Sequence, residues 1–353
     1  MTMQTFGLSA GRLNKFKGGI LKHAVPMECL SRQGRQVAMP KNNSDTYVAR
    51  RWIPYGATSA APNTFLGTTT AVDRGNLVVQ AHQTAEGVTP PPDSIVPQDV
   101  SVVVQQYSCL YGFTDKTYDL YEDDVPAAMT EQIGERVTLV NELLNFGALK
   151  ATTNQFYGGT GTSRSTVNGG LTLPLLRKII KSLQASHGKA VSRMLSASNQ
   201  YGTDPVEAGY FAYCSTDLEP DIRDLPGFIP TAKYSSGTPV PGEVGKVERV
   251  RFITSPEFGA ILDGGAAIGS TGLQSNLGTS LDVYQFIVMA ADAWSQISVR
   301  GIAALDPTYL PPGQKSKSDP HGQRGYAGTT WWKAVMLENN GWLACGNVGV
   351  KSL

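Results

Sequence analysis

The strongest periodic pattern in the chain lies between residues 124 and 150. Apolar side chains recur there at intervals of three or four residues, and they are Met129, Ile133, Val137, Val140 and Leu144. This spacing places them on one face of an α-helix. Asp124 is suited to cap the helix, and Pro126 fits its first turn, where the N–H that proline lacks has no partner. The pattern therefore predicts a helix of about 25 residues over 125–150.

Shorter patterns predict two further helices and several strands. Leu176, Ile180 and Leu183 predict a helix that begins after Thr172 and stops at Gly188. A third, short helix is predicted to start at Thr216, because Thr216 and Glu219 have the spacing of a capping box. Runs of β-forming residues predict strands over 46–53, 100–107, 247–253 and 283–289, and a hairpin of 331–338 with 342–348. Together these elements predict the α+β fold class.

Residues 55–99 do not fit a compact domain. This stretch holds five prolines and four glycines, and only 76–80 is typical of a strand. A structureless loop of this length is uncommon unless it acts outside its own domain. We therefore expect residues 46–107 to form a two-stranded excursion with an irregular tip. An isolated hairpin is marginally stable in water, so a neighbouring subunit is its natural support.

Composition narrows the class of protein. Charged residues make up 17% of the chain and hydrophobic residues 41%, while 38 glycines and 21 prolines are present. Such a chain is too apolar to be disordered. Its low charge indicates that much of its surface contacts other protein.

The near-zero net charge of +1 conceals two opposite regions. Residues 1–51 hold nine Lys or Arg and two acids, a net +7, so the remaining 302 residues carry −6. Residues 115–135 hold seven acids and one lysine, a net −6. Three interpretations stay open for the basic segment: a solvated tail, contact with acids of a neighbouring chain, and contact with nucleic acid or a scaffolding partner.

No pattern in the chain indicates catalysis, a cofactor or a metal site. The four cysteines are separated by 80, 105 and 131 residues, which argues against a zinc site or a disulfide framework. The four histidines form no ligand pair, and the Gly-rich segments lack the Gly-Lys-Ser/Thr of a phosphate loop. No secretion signal or membrane-length apolar run is present, so we expect a protein made in the cytoplasm, with no membrane partner.

Several local strings, in their order along the chain, resemble the tailed-bacteriophage major capsid proteins of the Hong Kong 97-type fold. They are ARRWIP (49–54), AEGVTP (85–90), QY (106–107), FTDK (113–116), EQIGE (131–135), SRS (163–165), LPLLRKII (173–180), DIRDLPGFIP (221–230), PGEVG (241–245), HGQRG (321–325) and the Trp-rich end. The most specific is the string over 221–230. The matches cover the chain from about residue 45 onward, whereas the first 45 residues match only as a basic arm.

The resemblance implies a domain layout. It predicts an N-terminal basic arm over 1–45, an extended loop over 46–107, and a peripheral domain over 108–169 that contains a long spine helix at about 125–150. An axial domain over 170–353 would follow, with part of the C-terminal segment returning to the peripheral domain.

The resemblance also implies a function. Many copies, as hexamers and pentamers, would form the icosahedral head shell of a virion, assembled in the bacterial host cytoplasm around double-stranded DNA. Scaffolding, portal and decoration proteins are further expected partners, and the alternative is an encapsulin-like shell that encloses enzymes. For contacts between copies, charge complementarity suggests the basic residues Arg50, Arg51 and Arg74 and the acids Asp119, Glu122, Asp123, Asp124, Glu131 and Glu135.

Overall fold

The computed structural model describes residues 24–42, 44–54, 57, 62–63, 82–89, 92, 94–121, 123–191, 207–234, 239–269 and 272–352. Four sequence predictions lie outside these residues. They are the first half of the basic arm, the strand over 76–80, and the contact residues Arg74 and Glu122.

The described residues form four α-helices and fourteen strands. The helices are α1 (Asp115–Leu120), α2 (Val125–Leu149), α3 (Leu173–Ala185) and α4 (Glu219–Arg223). The strands are β1 (Arg35–Met39), β2 (Thr46–Trp52), β3 (Pro97–Val103), β4 (Gln105–Thr114), β5 (Gln155–Tyr157), β6 (Tyr210–Ser215), β7 (Phe228–Pro230), β8 (Glu243–Val247), β9 (Val250–Ser255), β10 (Tyr284–Met289), β11 (Trp294–Val299), β12 (Leu305–Leu310), β13 (Arg324–Leu337) and β14 (Leu343–Val348).

The largest described sheet has seven strands in the order β5-β14-β10-β6-β9-β8-β7. All residues of β6, β9, β10 and β14 are buried, which is why these strands are continuous apolar runs rather than alternating ones. Helices α3 and α4 cover one face through Leu176, Ile179 and Ile222. The C-terminal end of α2 covers the other face, together with Cys29 and Leu30 of the arm.

A second sheet has the order β1-β11-β13-β12, with β4 paired to the N-terminal part of β13. Helix α2 packs across one face of this sheet, where Ile133 and Val137 contact Cys109, Ala327 and Trp331. Strand β1 lies parallel to β11 at the edge of the sheet. The sequence did not predict β1, because residues 1–44 were read as an extended arm without a sustained period.

The predicted long helix is confirmed, with one correction. Asp124 caps α2 by accepting a hydrogen bond from the Ala127 amide at 3.2 Å, and Pro126 lies in the first turn. The predicted apolar face is buried only in the first half of the helix. In the second half the buried positions are not Val140 and Leu144 but Glu142, Asn145, Phe146 and Leu149. Glu142 and Asn145 are buried because they bond to the arm.

The excursion begins as predicted and ends differently. Strands β2 and β3 form an antiparallel two-stranded sheet that pairs Thr46 with Val103 and Trp52 with Pro97. The predicted strand over 100–107 is wrong as a single element. It is interrupted at the buried Val104, after which β4 joins the sheet that contains β13.

Three local predictions are corrected by the structure. The predicted hairpin of 331–338 with 342–348 does not form, because β13 and β14 belong to different sheets. The predicted strand over 247–253 is an antiparallel pair, β8 with β9. The helical segment near 216 begins with a 3-10 turn that Ser215, rather than Thr216, caps.

Candidate inter-subunit surfaces

The β2–β3 sheet has an inner face that packs on its own chain and an outer face that is exposed. Tyr47, Ala49, Val100 and Val102 point inward and pack against a cluster around Met39, Val104, Ile297 and Met336. The alternation of exposed and half-buried positions along both strands is the period of two expected of a sheet covered on one side. The base of the excursion is therefore anchored to its own subunit.

The outer face of this sheet carries large apolar side chains. Trp52 is 59% exposed, and Val48 and Val103 are also exposed. Ile95, in the segment that leads into β3, is 73% exposed. Clustered apolar side chains of this size on a surface typically mark a contact with another molecule.

The two described arginines of the predicted contact set bond within the β2–β3 sheet. Arg50 donates two hydrogen bonds to the carboxylate of Asp99, at 2.7 and 2.9 Å. This bidentate contact lowers the pKa of Asp99 below its ordinary value. Arg51 donates two hydrogen bonds to the side-chain oxygen of Gln98, at 2.8 and 2.6 Å.

The described acids of the predicted contact set lie on α1, on the turn that follows it, and on the first half of α2. Asp119, Asp123, Asp124 and Glu131 are exposed, and Glu135 is half-buried. Asp124 has a local role as the cap of α2. The described residues show no ion pair between Arg50 or Arg51 and these acids. Their contact across two copies stays a prediction.

Sequence reasoning missed a polar junction that ties the arm to α2. The carboxylate of Glu142 is fully buried and accepts hydrogen bonds from the amides of Cys29, Leu30 and Ser31, at 2.9, 2.6 and 3.0 Å. The Ser31 hydroxyl donates a fourth, at 2.9 Å. Successive backbone amides that converge in this way form a site for an anion. Glu142 supplies that anion from within the chain.

Two neutral side chains extend this junction to β11. Gln296 donates hydrogen bonds to the carbonyl oxygens of Ser31 and Gln33, at 3.0 and 2.8 Å. Asn145 donates to the Ser31 hydroxyl at 3.1 Å. Glu142 lies off the apolar stripe that was predicted for α2, so no pattern in the sequence marked this junction.

A buried lysine lies near the same junction. Lys333 is 7% exposed, and its ammonium donates to the carbonyl oxygen of Asn141 at 3.4 Å. Burial lowers the pKa of Lys333 from 10.5 to about 8, although the negative charges of Glu142 and Glu28 oppose this shift.

The described residues give no positive sign of catalytic chemistry. All four cysteines are free and buried, and burial raises the pKa of Cys29 to about 11 and that of Cys345 to about 12. Such thiols are poor nucleophiles because the thiolate is disfavoured. In the described part of the chain no cluster of His, Cys, Asp and Glu is placed to hold a metal ion. None of the described helices has the length and hydropathy needed to span a membrane.

Comparison with known proteins gives a result only at the level of structure. No protein-family model matches the sequence, and no curated protein matches it. Among solved structures, a chain from the capsid of Ralstonia phage GP4 superposes with a TM-score of 0.63 and 12% identity, over 99% of both chains.

Two cyanophage capsids give similar results. A chain from the capsid of cyanophage P-SCSP1u has a TM-score of 0.57 and 10% identity, over 96% of this chain and 92% of that chain. A chain from the cyanophage Pam1 capsid has a TM-score of 0.55 and 14% identity, over 99% of this chain and all of the other. The predicted fold class is confirmed: the chain has the α+β fold of tailed-phage capsid proteins, the Hong Kong 97 type.

Proposed function

We propose that this chain is a major capsid subunit that assembles into the icosahedral head shell of a tailed double-stranded DNA bacteriophage. The observation that carries the proposal is the full-length likeness to chains solved within phage capsids. The role is structural and non-enzymatic. The exposed apolar face of the β2–β3 sheet supports it, since a protein of this kind must bury surface against other copies.

The proposed contact between copies places the loop over 46–107 on the peripheral part of a neighbour. Arg50, Arg51 and Arg74 would face the acids Asp119, Glu122, Asp123, Asp124, Glu131 and Glu135 of that neighbour. Many modest contacts of this kind add around a closed surface, so no single tight pair is needed. Packaged DNA, scaffolding, portal and decoration proteins are the other proposed partners.

Electron microscopy of the purified, concentrated protein tests the proposal. We expect the protein to form closed shells built of hexamers and pentamers. When the phage itself is purified, we expect the same shells as part of the virion. A protein that stays a small oligomer at every concentration and salt condition would refute the proposal.

The contents of the particles separate the proposal from its alternative. Nuclease-protected double-stranded DNA inside particles purified from infected cells supports a phage head. Particles that enclose an enzyme and lack DNA would instead support an encapsulin-like compartment.

A further inference from the structure

The arm, α2 and the second sheet enclose a cavity of about 150 Å³ beside the Glu142 junction. Its walls come from all three parts of the subunit: Ser31 lies on the arm, Val137 on α2, and Ile297 and Trp331 on β11 and β13. An engineered cavity of this volume binds benzene, a molecule of about six non-hydrogen atoms. The cavity is therefore large enough for a small organic ligand.

The walls of the cavity are mostly apolar and firmly held. Val137, Ile297, Leu305 and Trp331 supply most of this apolar surface. The ring of Trp331 stacks on Tyr107 with a centroid distance of 5.9 Å, and its indole N–H donates a hydrogen bond at 3.1 Å to the side chain of α2 that precedes Glu142. Rigid apolar walls of this kind favour the hydrocarbon part of a ligand.

Three neutral polar side chains along the cavity are already bonded within the chain. The amide of Gln296 donates both of its hydrogens to carbonyl oxygens of the arm. The Ser31 hydroxyl donates to Glu142 at 2.9 Å, and the Ser298 hydroxyl donates to the carbonyl oxygen of Gly301 at 2.7 Å. These donors are therefore spent within the subunit.

Lys333 is the one cationic side chain among the described residues that line the cavity. It is 7% exposed, and in the described part of the chain its ammonium has a single hydrogen bond, the long contact of 3.4 Å with the carbonyl oxygen of Asn141. No ion pair joins it to a described carboxylate: Glu142 accepts its four hydrogen bonds from the arm, and Glu28 pairs with Arg32. An ammonium can donate three hydrogen bonds, and a buried charge is normally paired. Two of its hydrogens are left for a group inside the cavity.

Glu28 also lines the cavity, and its negative charge does not cancel that of Lys333. The Glu28 side chain is 38% exposed, and the guanidinium of Arg32 lies 3.5 Å from it. Solvent and Arg32 weaken the field of this carboxylate, whereas a buried charge acts more strongly. The cavity therefore combines apolar walls with one buried, unpaired positive charge.

We propose that this cavity is a binding site for a short aliphatic carboxylate. The carboxylate group accepts hydrogen bonds from the Lys333 ammonium, and the apolar body lies against Val137 and Trp331. The bound molecule contacts the arm, α2 and the second sheet at once, so it reinforces the attachment that Glu142 provides. This site is separate from the contacts proposed between copies.

Butyrate is a suitable probe because its size matches the cavity. Isothermal titration calorimetry with the purified full chain at about pH 7 should detect its binding. Lys333→Met should bind butyrate at least about tenfold more weakly, because a charge-assisted hydrogen bond is lost. Lys178→Met, which replaces an exposed lysine of α3, is the matched control and should bind like wild type. Butyramide, which has the same shape without the charge, should bind wild type at least about tenfold more weakly than butyrate does.

The pH dependence of binding gives a second readout that needs no variant. Burial lowers the pKa of Lys333 to about 8, and the nearby charges, Glu142 on α2 and Glu28 on the arm, oppose this shift. A carboxylate binds the protonated amine, so the affinity of wild type for butyrate should fall at least about tenfold between about pH 8 and about pH 9.5.

Four results would overturn the site. They are equal affinity of butyrate for wild type and Lys333→Met, an affinity that stays constant above pH 8, binding of butyramide as tight as that of butyrate, and no binding of butyrate to wild type. The first three would make the cavity an apolar niche without charge recognition, and the fourth would mean that water completes the bonds of Lys333. None of them bears on shell formation, which electron microscopy tests separately.

Discussion

The seven-stranded sheet and the β2–β3 sheet use their surfaces in opposite ways. In the former, β6, β9, β10 and β14 are buried along their whole length by helices and arm residues of the same chain. In the latter, only one face is covered, and Trp52 and Val48 lie exposed on the other. The first region completes its packing within one subunit, whereas the second leaves apolar side chains of its outer face exposed.

This difference separates two kinds of stability. Substitutions in the seven-stranded sheet and its arm should lower the free energy of unfolding of each subunit. Substitutions on the β2–β3 sheet should leave the subunit folded and change only its association. Four substitution experiments test this division.

The largest effect on folding is expected for Phe286→Ala. Phe286 is fully buried in β10, and its ring packs on Gly346 of the adjacent strand. Removing the ring leaves a cavity, which should lower the free energy of unfolding by about 3–5 kcal/mol in urea titrations. A loss below about 1 kcal/mol would mean that the sheet is not the stable centre of the subunit.

Glu142→Gln should have the next largest effect. The neutral amide replaces a buried carboxylate that accepts four hydrogen bonds from the arm, so we expect a loss of about 2–4 kcal/mol. Amides of residues 29–31 should also exchange faster with solvent. Glu131→Gln, exposed on the same helix, is the control and should stay within about 0.5 kcal/mol of wild type. Equal effects of the two variants would contradict the anchoring role of Glu142.

Lys333→Met should change how stability depends on pH. Because the pKa of Lys333 is about 8 in the folded protein and 10.5 in its ordinary state, the unfolded chain binds more protons between these values. The contribution of Lys333 to the free energy of unfolding therefore rises as the pH increases from 8 to 10.5. Relative to Lys333→Met, wild type should gain up to about 3 kcal/mol across this window. Parallel pH profiles of the two proteins would contradict the burial of an ionisable ammonium.

The smallest effect on folding is expected for the double reversal of Arg50 and Arg51 to glutamate. Both arginines bond only to side chains of β3, so the subunit should stay folded and soluble while particle yield falls. The double reversal of Lys178 and Lys181 to glutamate, on the exposed side of α3, is the charge-matched control. Reversal of Asp119 and Glu131 to lysine in the same chain should restore part of the yield. A normal yield from the arginine variant would exclude the proposed charge pairing.

Local signals in the sequence were sufficient for the helices. The cap at Asp124, the proline at 126 and the apolar spacing fixed α2 within one residue of its observed end, and Gly188 marked the end of α3 within three. These features act over one or two helical turns. For the same reason the strand over 46–53 was predictable, since its β-forming residues lie close together in the sequence.

The features that were not predicted from the sequence depend on contacts between residues that lie far apart along the chain. Strand β1 exists because β11, 260 residues later, offers a parallel edge. Glu142 is buried because three amides of the arm converge on it, and no local pattern announces such a contact. Residues 331–348 likewise form no hairpin, because β13 and β14 are buried in two different sheets, whatever the turn between them favours.

The burial of all four thiols has a consequence for the life of a particle built from this chain. A particle of the proposed kind would be made in a reducing cell and would later meet an oxidising medium. Because Cys29, Cys214 and Cys345 are buried and their pKa values are raised, oxidants meet little reactive thiolate. The covalent state of these thiols should therefore be the same in reducing and in oxidising surroundings.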